Sequence, residues 1–358
     1  MIKLERSLLH SLQGDQLTAG SLCTALQGAI ELEHSTIPLY LYGLFSLRPG
    51  QNRQIAEILK SVVVEEMLHM VLASNVLNAL GGSPAISKVD FVPRYPGRLP
   101  GGVENQLVLH LRPFSPEQLQ AFIEIEEPRN PIDHRTGEVP EATSCTIGEF
   151  YTAIAAAITT LGESIFVVPP RNQVGPDLMY GSISVTDVAS ALAALDTIVE
   201  QGEGTGTSPE EIDGPGGVDD YAHYYRFTQI QRGRTLVRAR SATPDDSPRY
   251  EFAGDEIPFD PRGVFALPED PSAANYPVGS PARRATDAFN YTYTTLLALL
   301  HELVNGSATM ATFVASLNLM ESLEYQARAM VSGVAAPGQS LGPSFEYQPV
   351  DPGAARAQ

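Results

Sequence analysis

The feature that most constrains this chain is charge placed where a helix needs apolar residues. The segment VVVEEMLHMVLASNVLNALGG, residues 62–82, is a helix-forming run whose first half carries Glu65, Glu66 and His69. At the 3–4 residue spacing of an α-helix, Val62, Glu66, His69, Ala73, Val76 and Leu80 share one face. That face is an apolar stripe interrupted only by an acid and an imidazole. Burying an isolated charge costs several kcal/mol, so these two side chains require partners or a cation. Three residues apart, they project together and can hold one ion. Glu65 is the alternative to Glu66, because an i,i+4 pair with His69 is also feasible.

The same anomaly recurs on other predicted helices. In residues 19–47 the stripe Leu22, Leu26, Ala29, Glu33, Ile37, Tyr40, Leu44 contains one charge, Glu33. Glu31 falls on a polar face with Thr24, Gln27 and Ser35, which predicts a solvated side chain. In residues 184–204 the stripe Val188, Leu192, Leu195, Val199 ends at Glu203, while Asp196 and Glu200 form a separate polar face. Glu200 is therefore the alternative to Glu203. DDYAHYYRF then supplies Asp220-x-x-His223, with Asp220 one methylene shorter than a Glu. An acid from each of two helices and an acid-x-x-His from each of two others is the ligand pattern of dinuclear carboxylate proteins of the ferritin-like type. Four carboxylates neutralise two divalent cations, and two imidazoles complete the shells while leaving positions for dioxygen or substrate. The expected ligands are Glu33, Glu66, His69, Glu203, Asp220 and His223. The expected cofactor is a pair of metal ions, iron by chemical preference, with manganese as the alternative.

The rest of the chain is consistent with a mainly α protein of one domain spanning 1–358. Helices over 19–47 and 52–80, separated by Pro49-Gly50, predict an antiparallel pair, and Gly81-Gly82 stops the second. Residues 84–113 are punctuated by Pro and Gly, and NQLVLHLRP alternates like a short strand. Helices are expected over 115–128, 146–163, 184–204 and 219–231, with Ser115-Pro116 as a helix start. Long loops follow over 240–285, and two extra helices are expected within 286–332. Pro38, in the turn after Glu33, predicts a bend beside the site, since it cannot donate to the carbonyl of His34.

A net charge of −19 disfavours nucleic acid and anionic membrane surfaces as partners. No apolar run is long enough to span a bilayer and the N-terminus lacks an apolar leader, which predicts a cytoplasmic protein. Cys23 and Cys145, far apart in sequence, are expected to be reduced and buried. Neither has a neighbouring His, and GxSxG is absent, so nucleophilic hydrolase chemistry finds no support. VEQGEGTGTSP lacks the strand and Lys-Ser/Thr of a phosphate loop.

Taken in order along the chain, AIELEHSTIPLYLYGLFS, VVVEEMLHMVLASNVLNALGG, FVPRYPGRLPGG, TIGEFYTAI, IVEQGEGT, AHYYRF, FNYTYTTLLALLH and GPSFEYQP resemble the iminophenyl-pyruvate dimer synthase family. This ferritin-like family includes the ferritin-like part of violacein and rebeccamycin pathway enzymes. The resemblance implies a ferritin-like four-helix bundle with additional C-terminal helices, long loops and a little β structure. It also implies metal-binding positions at Glu33, Glu66, His69, Glu203 and His223, and oxidative coupling of imines made from aromatic amino acids. Tyr40 and Arg226 are candidates to support the ligands from behind; His34 and His301 are expected to be structural. The leading expectation is an oxidoreductase using dioxygen or peroxide on a small aromatic or amino-acid-derived molecule in secondary metabolism, with an oligomer compatible. The alternative is a non-catalytic ferritin-like metal-binding or storage protein, or a partner subunit.

Overall fold

The computed structural model describes residues 11–100, 107–128, 131, 146–204, 208–210, 220–239, 250–306, 308–336 and 338–349. The described residues contain eight α-helices and one small sheet. Helix α1, Ala19–Ser46, starts from a reciprocal capping pair, Thr18 and Ser21. Helix α2, Arg53–Ala79, follows after a short turn and packs antiparallel along α1. The αL residue Gly81 (φ 81°) lies beyond its C-terminus, as the Gly-Gly stop predicts. Pro38 lies inside α1, and in that turn the Tyr95 hydroxyl donates to the Ser35 carbonyl at 2.7 Å.

Helices α3 (Pro116–Glu126), α4 (Ile147–Leu161), α5 (Val188–Gly202) and α6 (His223–Arg232) follow. Each of α3, α4 and α5 is started by a side chain that accepts from the backbone N–H three residues on: Ser115, Thr146 and Asp187. Helices α1, α2, α5 and α4 pack in that cyclic order as the bundle, and the α3–α6 pair lies against α2 and α5. Helices α7 (Pro281–Val304) and α8 (Met310–Val331) form a hairpin outside, touching α1 and α2. Buried amides on α2 fix the loops to the bundle: Asn75 bonds Val174 and Ile183, and Asn78 bonds Asn172 and Val304.

Three local expectations change. Among its described residues, NQLVLHLRP makes a single bridge, Leu109 to Gly97; Pro96 and Pro100 flank Gly97 and lack the N–H groups a longer ladder needs. The sheet pairs β1 (Val237–Arg238) with β2 (Tyr250–Glu251) instead, antiparallel, with Val237 opposite Glu251. Helix α7 starts at Pro281, ahead of the expected 286, through a Ser280-Pro281 cap of the same type as Ser115-Pro116. Cys23 is a free, half-buried thiol, and Cys145 lies outside the described residues. No described helix is long and apolar enough to cross a membrane.

Candidate metal centre

The acids and imidazoles of α1, α2, α3 and α6, with the end of α5, converge inside the bundle. Glu33, Glu65, Glu66, His69, Glu126 and His223 are all buried, at 5% exposure or less. The nearest ligand-capable atoms of Glu66, His69 and His223 lie within 4.8 Å of one another. The two imidazoles stack, with ring centroids 5.3 Å apart. A cavity of about 20 Å³, bounded by Glu33, Glu66, His69, Glu126 and Glu203, gives room for about one or two water-sized occupants.

Each histidine is oriented from its outer nitrogen. His69 Nε2 lies 2.9 Å from Gln201 Oε1, and its Nδ1 lies 3.4 Å from Glu33 Oε2. His223 Nε2 lies 3.0 Å from Glu65 Oε2. Both outer partners are oxygen acceptors, so each Nε2 can donate outward while Nδ1 faces the cluster. Glu65 is in turn gripped by the guanidinium of Arg226, whose Nη1 also reaches Ser61 Oγ at 3.0 Å. Such outer carboxylates fix the tautomer and raise the basicity of a metal-binding histidine. His223 Nδ1 is fully buried and makes no hydrogen bond, although Glu66 Oε1 is 3.0 Å and Glu126 Oε2 3.6 Å away. A buried ring nitrogen set between two carboxylates is a position that a proton or a metal cation fills.

Tyrosines hold the outer carboxylates. Tyr151 on α4 donates to Glu33, and Tyr40 on α1 donates to Glu126. Tyr40 is itself wedged edge-on against Phe122 and Phe227. Glu203 sits at the C-cap of α5, half-buried, and points at the N-terminus of α4: Gly148 N–H donates to Oε1 at 2.7 Å and Thr146 Oγ1 to Oε2 at 3.3 Å. A Cβ at Gly148 would meet Glu203 Oε2 at 2.5 Å, so glycine is what lets this carboxylate dock.

The electrostatics show acids in excess of fixed cations. Arg226 serves Glu65, whose carboxyl is held down at about 2: burial acts against this, but hydrogen bonds and charge from His223 and Arg226 outweigh it. Glu66 is pushed well above the carboxylate range, by burial first and then by Glu126, with Glu33 adding to it. Burial also pushes Glu203 up to about 7, against its bonds to Gly148 and Thr146. Glu33 is lowered, because His69 and Tyr151 outweigh its burial. His223 is raised despite burial, by Glu126, Glu65 and Glu66. Crowded carboxylates of this kind share protons or accept a metal cation.

Of the sequence-predicted ligands, Glu33, Glu66, His69 and Glu203 line the cavity, and His223 adjoins it through Nδ1. Asp220 is not brought to it. It precedes the first turn of α6, so it has no helical i,i+3 relation to His223. Its side chain is 46% exposed and lies 3.6 Å from Arg226. Glu65 and Arg226 stand behind His223, while Glu200 faces a separate groove. The buried acid that sequence reading missed is Glu126. The signal was present: Leu119, Phe122, Ile123 and Glu126 form an apolar stripe ending in one acid, the same pattern that singled out Glu33. Tyr151 and Gln201 carry no comparable sequence signal. His34 is a core histidine, lowered to about 3 by burial, bonded to Tyr293 at 2.9 Å and packed on Phe91. His301 bonds Asn305 at the end of α7.

A ferritin-like family model matches residues 26–232, more than half of the chain and the whole of this cluster. The chain belongs to the ferritin-like family. It is also similar, at 26% identity over 404 aligned residues, to dichlorochromopyrrolate synthase of Lentzea aerocolonigenes. That match takes in 94% of this chain and 37% of the synthase, so the chain spans little more than a third of that relative's length. Among solved structures, a ferritin-like protein from Caulobacter vibrioides superposes with a TM-score of 0.57 at 23% identity, over 91% of this chain and 97% of that one. The fold is ferritin-like, and ferritin-like bundles commonly hold two metals on inward-facing carboxylates and histidines. The donor set here, two Nδ1 atoms with several carboxylates, fits that chemistry.

Proposed function

We propose that this chain is a dinuclear-metal oxidoreductase, with iron as the metal, acting on a small aromatic or amino-acid-derived molecule in secondary metabolism. The observation that carries the reading is the convergence of His69 Nδ1 and His223 Nδ1 on buried carboxylates, with the second of these nitrogens left without a hydrogen bond. Glu33, Glu66, Glu126, Glu203, His69 and His223 would hold the ions. A bound iron pair supplies redox equivalents and open coordination positions for dioxygen or peroxide. The likeness to dichlorochromopyrrolate synthase supports an enzyme of secondary metabolism, and oxidative coupling in the manner of the iminophenyl-pyruvate dimer synthase family is the finer form of the proposal.

The protein's own side chains then have distinct tasks. Gln201 and Glu65 keep the hydrogen on the outer nitrogens of His69 and His223, leaving both Nδ1 lone pairs inward. Tyr151 and Tyr40 fix the carboxylate rotamers of Glu33 and Glu126. Leu32, Ile147 and Ile198 keep the cavity wall apolar and limit bulk water. An oxygen electrode tests the reading: chain loaded anaerobically with Fe(II) consumes dioxygen stoichiometrically on mixing, and Glu66→Ala does not. Equal consumption by the variant and the parent would overturn it.

A further inference from the structure

Helices α4 and α5 enclose a second cavity, of about 230 Å³, open to solvent on the flank of the bundle. It exists because α4 presents small side chains there: Thr152 and Ala155 face Leu195 and Val199 of α5 and leave the space between unfilled. Tyr151 and Val199 line both this groove and the small metal-site cavity, so these two side chains form the partition between them. Tyr151 is buried, with its hydroxyl on Glu33 at the inner face of that partition. The outer groove has a clear chemical polarity. Among the described residues, its charged lining residues are Asp196 and Glu200, one turn apart on α5, and none is basic. The floor is apolar, from Ala155, Leu195 and Val199.

We propose that this groove is the antechamber of the metal cavity and binds a small organic cation, a primary aryl- or alkylamine. Its ammonium group meets Asp196 and Glu200 while its body lies on Ala155, Leu195 and Val199. The groove discriminates against carboxylates of the same size, since an anion would meet two acids with no counter-charge among the described lining residues. Its role as an entry to a reactive centre rests on the metal-site reading above; the amine binding does not.

The test uses benzylamine as the probe and phenylacetate as its size-matched anion, titrated calorimetrically into the full chain, with metal content measured on the same samples. Benzylamine binds, phenylacetate binds about tenfold more weakly or not at all, and the double variant Asp196→Asn/Glu200→Gln loses about tenfold in benzylamine affinity. Ala155→Leu fills the groove and removes benzylamine binding with metal content unchanged. With Co(II) in the centre, saturating benzylamine shifts the visible d–d bands of the parent chain. Equal binding of the two probes, or an indifferent double variant, overturns the amine site. An unchanged Co(II) spectrum overturns the antechamber. Benzylamine binding with this selectivity in a chain that takes up no metal would sink the metal-site reading and leave the amine site standing.

Discussion

Glu65 Oε2 lies 3.0 Å from His223 Nε2, and the same carboxylate is clasped by Arg226. This places a buried ion pair directly behind an imidazole whose other nitrogen has no hydrogen bond. Removing Glu65 therefore has two separable effects. Glu65→Ala strands a buried guanidinium and costs about 3–5 kcal/mol of stability. It also frees the His223 tautomer, which lowers metal affinity by about 10–100-fold. The double variant Glu65→Leu/Arg226→Met restores most of the stability in urea unfolding but not the affinity in chelator competition. Full recovery of affinity in the double variant would refute the orienting role.

Glu126, not Asp220, borders the cavity, so on the metal-site reading it takes the place that the sequence pattern gave to Asp220. Asp220→Asn leaves metal stoichiometry unchanged, because its side chain is 46% exposed and contacts Arg226 rather than the cavity. Glu126→Gln loses at least one ion per chain by elemental analysis. The opposite ranking would restore the linear acid-x-x-His pattern.

Tyr40→Phe deletes the hydroxyl that donates to Glu126 inside a closed aromatic cage. The carboxylate keeps its burial and loses a donor, so unfolding stability of the metal-free chain falls by about 1–3 kcal/mol. A change within error in urea denaturation would show that Glu126 finds another donor.

Metal binding competes with protons. Glu203, raised by burial to about 7, binds its proton more tightly in the fold than in the unfolded chain, whose value is 4.5. The metal-free fold therefore gains stability from that proton below pH 4.5 and loses it as the pH rises from there through 7. Glu66 is raised in the same direction. Glu65, depressed to about 2, acts oppositely, but its contribution is present above 4.5 and lost only as the pH falls toward 2. The metal-induced rise in Tm accordingly grows between about pH 5 and 7.5. A rise independent of pH in differential scanning calorimetry contradicts proton–metal exchange at these acids.

Sequence pattern carried most of the bundle, because capping residues, glycine stops and apolar stripes are local signals that the fold honours. Glu33, Glu66 and His69 were legible for the same reason: each is a lone polar residue on an otherwise apolar face of a long helix. Glu126 obeys this rule as well, yet its helix is short and its neighbour Glu124 disguises it as ordinary surface charge. Asp220 failed differently. The acid-x-x-His spacing has meaning only inside a helix, and α6 begins at His223. The support from Tyr151 and Gln201 depends on packing between α1, α2, α4 and α5, which no local pattern encodes.

Metal stoichiometry tests the dinuclear site most directly. Full-length chain loaded anaerobically with Fe(II), desalted and assayed by mass spectrometry for metals, should retain about two ions per chain, as the ferritin-like carboxylate centres do. Glu66→Ala, folded by circular dichroism, should retain far fewer. A folded parent chain that retains no stoichiometric metal, or a Glu66→Ala variant that matches a loaded parent, would rule out a metal pair held by these residues.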